Sequence, residues 1–229
     1  MLIWERFPEL VAVVKKLHEE AGLAGGHHDI YHACRVGQVA YRIFKNEWEY
    51  VSEALVASAA GVCHNADRVL EEKTQQKTTK EAVSQLVDDW LVKTTGFTSF
   101  DRGRIVDAVL KHTGRNSPQD SSVLIALMDA DRVVNLDMDL LPRSGQNYKN
   151  LPVVDMFNFL DDPDATYRNP KSVLRDIAYS LEWLDPASPF YIRTRLGRLM
   201  GTQRGIAFRM MMDTLKYQLE EEGILGVKL

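Results

Sequence analysis

The sequence predicts an all-α fold. Apolar residues recur at helical spacing along almost the whole chain, and no segment keeps the strict alternation that a half-buried strand shows. The chain has 229 residues, of which 45% are hydrophobic, so it can bury a large core. We expect a single helical domain over residues 1–229, with a core at about 20–138, an irregular insertion at 139–169 and C-terminal helices at 170–229 that pack on the core.

The N-terminal part of the chain predicts three helices. An apolar stripe runs from Ile3 to Leu17. The glycines expected to end this helix are Gly22, Gly25 and Gly26. A second helix should extend from about His28 to Asn46. A third, from Val51 to Cys63, consists almost entirely of small and apolar residues, which predicts that it is buried on all sides at the centre of the core.

Polar and turn-forming residues divide the middle of the chain. Residues 71–80 are almost all polar and are expected to form a loop, and Thr78 with Glu81 resembles a capping box that opens the next helix. Another helix should span Phe100 to His112. Ser117 and Pro118 have the residue types of an N-cap and a first helical position, so we expect a further helix to begin there.

The C-terminal part begins with the insertion, which is rich in Pro, Gly, Asn and Asp and is expected to be a partly structured lid or loop. Asn169 with Pro170 should open a helix to Leu184, and Ser188 with Pro189 should open one to Met200. Gly201 and Thr202 are expected to separate the latter from a last helix.

Composition excludes several classes of function. The net charge of -4 and the pI of about 5.9 give no overall positive field, so nucleic acid is disfavoured as a partner. Charged residues interrupt the apolar N-terminus, unlike in a signal peptide, and no apolar run is long enough to span a membrane. Because the only cysteines are Cys34 and Cys63, a disulfide framework is excluded and we expect a cytoplasmic protein.

Histidine and aspartate side chains stand at positions where several helices could bring them together. His32 follows His28 by four residues, so both lie on one helix face. His64 ends the apolar third helix, and Asp129 and Asp131 lie within a later apolar run. Imidazole nitrogen and carboxylate oxygen held on separate, packed helices are suitable ligands for a first-row divalent cation.

In their order along the chain, these segments resemble the HD-domain metal-dependent phosphohydrolases, in particular small bacterial stand-alone enzymes that act on nucleotides. The C-terminal segment LMGTQRGIAFRMMMDTL resembles the closing helix of that family, so the resemblance covers most of the chain. The matching residues of the first four segments are His28, Asp29, His32, Arg35, Val36, His64, Lys111, His112, Asp129, Ala130, Asp131 and Arg132.

The resemblance implies a site for one divalent transition metal, namely Mn, Fe, Ni, Co or Zn, with Mg as a further option. Its ligands would be His32, His64, Asn65 and Asp131. Asn65 departs from the family pattern, in which the second residue of the doublet is Asp. An Asn offers one neutral carbonyl oxygen but not the negative charge that holds the cation and lowers the pKa of a bound water.

The resemblance also suggests residues that act on the substrate, a small phosphorylated molecule such as a nucleotide or a phosphate ester. Arg68 stands where many relatives carry a catalytic acid, so the neighbouring Asp67 becomes the candidate general base, although it would equally suit a solvated turn. Lys111 and His112 would face the phosphate or a second metal, although Lys111 would also suit a helix C-terminus. The candidate substrate-binding residues are Arg35 and Arg132, although both are better explained as ion-pair partners that orient the site carboxylates.

Other interpretations remain open from the residues alone. Asn65 also suits an HD-fold protein that has lost turnover and binds a nucleotide or a partner as a sensor, and a helical scaffold without a ligand is a third possibility. A zinc site using Cys34 is disfavoured, because residues two apart on a helix point in nearly opposite directions. The oligomeric state is not determined. The arginines near the C-terminus, interpreted as a solvated face or as ion-pair partners, are Arg193, Arg195, Arg198, Arg204 and Arg209.

Overall fold

A computed structural model describes residues 2–24 and 28–225 of the chain. These residues form eleven α-helices and one short 3-10 helix, and no strand, with a single isolated β-bridge between Thr166 and Asn169. The all-α fold predicted from the sequence is therefore confirmed. The helices are α1 (Ile3–Arg6), α2 (Pro8–Glu20), α3 (Ile30–Trp48), α4 (Val51–Cys63), α5 (Ala66–Thr74), α6 (Lys80–Val92), α7 (Ser99–Lys111), α8 (Ser122–Val134), α9 (Leu140–Asn147), α10 (Val173–Ser180) and α11 (Arg195–Glu221), with the 3-10 helix at Leu181–Leu184.

Helices α3, α4 and α8 form the centre of the core and pack against one another. Within α4, nine residues are buried, including the unbroken run from Val56 to Cys63, so this helix is enclosed as its composition predicts. It packs closely against α3 where Gly61 meets Gly37: a Cβ built on Gly61 would lie 2.5 Å from Gly37 Cα. The two glycines therefore set the spacing of the helices that carry His32 and His64.

The first half of the chain differs from the sequence-based expectation at several helix ends. The first helix is two helices, because Pro8 begins α2 after a non-helical Phe7. Residues 71–74 belong to α5, so only the remainder of the expected loop is irregular. The N-cap of α6 is Thr79 and not Thr78, since the Thr79 hydroxyl accepts a hydrogen bond from the backbone of Ala82. Gly25 and Gly26 lie outside the described residues.

The second half of the chain also differs from the sequence-based expectation at three helix starts. The N-cap of α8 is Ser121 and not Ser117, and the N-cap of α10 is Ser172 and not Asn169. No helix begins at Ser188. Instead Thr194 caps α11, which then runs without interruption through Gly201 and Thr202. The Ser-Pro and Asn-Pro pairs form turns here, because proline is suited to a turn as well as to a first helical position.

The insertion at 139–169 contains helix α9 followed by consecutive turns. Ser144 of α9 donates a hydrogen bond to Asp176 of α10, which joins the insertion to the C-terminal helices. Arg143 and Ser144 are buried, so α9 is part of the packed structure. Among the residues that the structure describes, no helix is long and apolar enough to cross a membrane.

Candidate metal centre

Three helices bring two histidines and one aspartate together. His32 lies in the first turn of α3, where the Asp29 carboxylate caps the helix by accepting from the His32 backbone at 2.8 Å. His64 follows the last residue of α4, and Asp131 lies in α8. Asp131 Oδ1 lies 3.3 Å from His32 Nε2 and 3.7 Å from His64 Nε2. One ligand atom from each residue lies within 4.8 Å of the others.

This donor set fits a first-row divalent cation. Ligand atoms about 2.1 Å from such an ion lie about 3 to 3.5 Å from one another, close to the two distances above. The His64 ring donates from Nδ1 to the Gly61 carbonyl oxygen at 2.7 Å, so the lone pair of Nε2 faces the cluster. His32 Nε2 is buried and makes no well-directed hydrogen bond, even though Asp131 is near. A cation would satisfy that atom.

The second nitrogen of His32 has an unusual neighbour for a metal ligand. Nη1 of the buried Arg143, in α9, lies 3.5 Å from His32 Nδ1. A guanidinium only donates, so His32 Nδ1 is the acceptor in this contact. Metal-binding histidines usually donate from the nitrogen that faces away from the ion. The contact with Arg143 would therefore oppose binding of a cation through His32 Nε2.

Burial and charge set the protonation of the other two residues. Burial lowers the pKa of His64 to about 3, despite the Asp131 carboxylate nearby, so its imidazole is neutral at physiological pH. Burial opposes ionisation of Asp131, but the surrounding imidazoles of His32, His64 and His112 outweigh it and keep the Asp131 pKa below its usual range. Neutral imidazole and ionised carboxylate are the forms that bind metal.

A cleft of about 130 Å³ adjoins the cluster at His64. Asp67 of α5 and His112 at the end of α7 line it together with His64, and Thr79 and Lys80 at the start of α6 also line it. The His112 ring packs edge-on against His64, with centroids 5.4 Å apart, and donates from Nδ1 to the Val109 carbonyl oxygen. Its Nε2 therefore remains available to a ligand in the cleft.

Asn65 lies directly after His64 and is 97% buried. Its amide Nδ2 is buried without a hydrogen-bond partner among the described residues. Rotation of the amide exchanges Nδ2 with Oδ1, and only the oxygen can bind a cation. The expected fourth ligand is thus adjacent in sequence to a member of the cluster, and its ligand role stays a prediction.

Three other candidate residues do not line the cleft. Arg35 pairs with Asp137, just before the insertion, and with Asp139 at its start. Lys111 pairs with Asp107, one turn earlier on α7, at 2.6 Å. Arg132 is buried and donates to Asn116 Oδ1 at 2.8 Å and to nearby backbone carbonyl oxygens. These contacts are the structural ion pairs and hydrogen bonds that the sequence left open beside a role in substrate binding.

The two aspartates of the DADR segment, Asp129 and Asp131, lie on opposite sides of α8, as their separation of two residues requires. Asp129 is fully buried, and its Oδ2 accepts from the backbone nitrogens of Arg193 and Thr194 at 2.9 and 2.7 Å. It therefore fixes the start of α11. The sequence suggested no role for Asp129 in anchoring α11, nor for Arg143 beside His32, because both depend on residues more than sixty positions apart.

Both cysteines are buried free thiols, as expected for small hydrophobic residues. Burial raises the pKa of Cys34 to about 11 and also raises that of Cys63, so neither is a thiolate at neutral pH. Neither belongs to the cluster.

The fold and the cluster define an all-helical chain with a candidate metal centre of two histidines and one aspartate. Comparison with known proteins adds no relationship to this description. No protein-family model matches the sequence, and neither a curated protein nor a solved structure gives a significant match.

Proposed function

We propose that this protein belongs to the HD-domain superfamily and is a metal-dependent phosphohydrolase that acts on a small phosphorylated molecule, such as a nucleotide or a phosphate ester. The observation that carries the proposal is the convergence of His32, His64 and Asp131 from three helices. The cofactor would be one divalent cation, either Mn, Fe, Ni, Co or Zn, or else Mg. Two buried free thiols also support the proposal of a cytoplasmic location.

The residues of the cleft suit hydrolysis of a phosphate. A bound divalent cation supplies positive charge that polarises a phosphoryl oxygen and makes water more acidic. Asp67 lines the same cleft as His64, so its carboxylate can accept the proton of an attacking water. His112 can exchange a proton with the leaving group through Nε2, and Lys80 at the cleft adds positive charge toward an anionic substrate.

A second candidate function is favoured by Asn65. Without the second carboxylate, the cluster holds a cation less strongly and activates water less. The protein would then bind a nucleotide or a partner as a sensor without turnover. Both functions use the same cluster, so they differ in hydrolysis and not in metal binding.

Metal binding is tested first, on the full chain purified without chelator or metal-affinity tag. Elemental analysis should give near one equivalent of a transition metal per chain. Added metal at about 100 times its Kd should raise the free energy of unfolding by about 2.7 kcal/mol. For a chain of this length, that is a rise in Tm of roughly 5 to 10 °C.

Variants connect this effect to the cluster. His32→Ala and His64→Ala should abolish the metal-dependent rise in Tm. His18→Asn is the matched control, because His18 is also a buried histidine but lies outside the cluster, and its variant should retain the rise. A rise that persists in both cluster variants, or no binding under excess metal, would reject the proposed centre.

Turnover is then measured with the metal-loaded protein on a panel of nucleotides and simple phosphate esters. The phosphohydrolase proposal expects hydrolysis that Asp67→Asn reduces while metal binding is retained. If only Asn65→Asp is active, the chain is a weakened enzyme. If neither protein hydrolyses any compound while both bind metal, the sensor function replaces the phosphohydrolase.

A further inference from the structure

Helix α11 has two apolar faces, and only one of them is covered. Its inner face packs on the body of the protein through small and apolar residues, which are Gly197, Gly201, Gly205, Phe208, Met212 and Leu219. Four large apolar side chains on the same helix are between 49% and 64% exposed, namely Leu199, Ile206, Met210 and Tyr217. At 3.6 residues per turn these four fall within about 40° of one another, opposite the inner face. We call them the outer stripe.

The outer stripe has the spacing of a helix-pairing seam. Its members follow one another in steps of seven, four and seven residues, which keeps them in line over about 27 Å of helix. The pattern is symmetric about Phe208. If two copies of α11 cross antiparallel with a two-fold axis beside Phe208, Leu199 of one copy faces Tyr217 of the other, and Ile206 faces Met210. A self-complementary surface of this kind is what a two-fold dimer requires.

The charges beside the outer stripe also suit antiparallel pairing. At 3.6 residues per turn, Arg195 and Arg198 lie at the N-terminal end of the stripe and Glu220 lies at its C-terminal end, all on the same side of it. A two-fold axis beside Phe208 places the partner's Glu220 between Arg195 and Arg198, whereas parallel pairing would bring like charges to the same end. Within the described part of the chain, Arg195 and Arg198 form no ion pair, and Glu220 pairs only with the exposed Lys216, at 3.9 Å.

We infer that the protein forms a two-fold symmetric dimer through antiparallel packing of the α11 outer stripes. The contact is one helix wide and smaller than a standard protein interface, so the dissociation constant is on the order of micromolar. The inference does not depend on the metal centre. A chain that dimerises without binding metal, or the reverse, would separate the two proposals.

Sedimentation of the full chain over two orders of magnitude in concentration around the micromolar range measures the dimer. Ile206→Glu should weaken association by more than about tenfold, because it places a charge at the centre of the contact. Val92→Glu is the matched control, since Val92 is an equally exposed apolar residue of α6, 60% exposed, and its variant should dimerise normally. A monomer at all concentrations, or a dimer unaffected by Ile206→Glu, would overturn the inference.

Charge exchange tests the antiparallel direction. Glu220→Arg alone should weaken the dimer by about tenfold, because it places an arginine beside Arg195 and Arg198 at both ends of the contact, and adding Arg195→Glu and Arg198→Glu should restore it. Crosslinking gives an independent result. The double variant Leu199→Cys with Tyr217→Cys should form disulfide-linked dimers, and Leu199→Cys alone should not. Efficient crosslinking of the Leu199→Cys variant would indicate parallel pairing of the two helices and refute the antiparallel arrangement.

Discussion

The contact between Gly61 and Gly37 predicts that a single methyl group disturbs both the core and the candidate metal centre. In Gly61→Ala the new Cβ would lie 2.5 Å from Gly37 Cα and 2.6 Å from Gly37 N. Both contacts are with backbone, so no side chain can rotate away and α3 must move from α4. His64 donates a hydrogen bond to the Gly61 carbonyl, and His32 lies on α3, so the same movement separates two of the three candidate ligands.

The magnitude follows from two opposing effects. Overpacking of a core costs up to about 3 kcal/mol, and alanine regains about 1 kcal/mol of helix propensity relative to glycine. The net loss of about 2 kcal/mol corresponds to a fall in Tm of roughly 4 to 8 °C for a chain of this length. The stabilisation by added metal should also become smaller.

Gly103 of α7 provides the control, because a Cβ built there meets nothing within 4 Å. Gly103→Ala should gain up to about 1 kcal/mol of stability from helix propensity alone. Both variants are compared by urea unfolding and thermal melting, with and without metal. If Gly61→Ala proves as stable as Gly103→Ala, the close approach of α3 and α4 does not hold in solution, and the two glycines do not set the spacing of the candidate ligands.

Three further predictions concern single side chains. The His64 pKa is lowered to about 3, so as the pH falls the unfolded state takes up a proton on this ring before the folded state does. Metal-free protein should therefore lose free energy of unfolding below about pH 6.5, by up to about 1.4 kcal/mol per pH unit. Urea unfolding over this pH range should show a weaker dependence of stability on pH for His64→Gln. Arg143→Gln removes a cation beside His32 Nδ1 and supplies an oxygen that can accept a hydrogen bond from it, so titration with metal should show an affinity raised by about tenfold. Unchanged or weaker binding would mean that Arg143 does not oppose metal binding. Thr79→Ala should cost about 1 kcal/mol in chemical unfolding and Thr78→Ala less than about 0.5 kcal/mol, whereas equal losses would contradict the assignment of the α6 cap.

The sequence was sufficient to predict the elements whose signal is local. Helix α4 begins and ends at the predicted residues, Val51 and Cys63, because its apolar composition is continuous and polar residues flank it. The convergence of His32, His64 and Asp131 was also predictable, since each lies at a distinct point of a helical segment and their order resembles a known pattern.

Helix starts were predicted less well, because Ser, Thr and Pro are suited equally to caps and to turns. Whether Ser117 or Ser121 begins α8 depends on packing, as does the continuity of α11 through Gly201, where the inner face needs a glycine to approach neighbouring side chains. The pairing of Arg35 with Asp137 and Asp139 spans about a hundred residues, and no local pattern encodes it.

The charge of the cluster links Asn65 to the choice between the two proposed functions. With both imidazoles neutral and Asp131 ionised, the cluster would carry a charge of about -1, so a divalent cation would leave about +1 on the loaded centre, whereas an aspartate at position 65 would bring it to about zero. Asn65 would therefore weaken attraction for the cation and strengthen attraction for an anionic phosphate once the cation is bound. Tight ground-state binding of the anion lowers KM without raising kcat. In the proposed centre, Asn65 would thus favour retaining a phosphorylated ligand over releasing its products, and Asn65→Asp should shift this balance toward turnover, with tighter metal binding and weaker phosphate binding in the same protein.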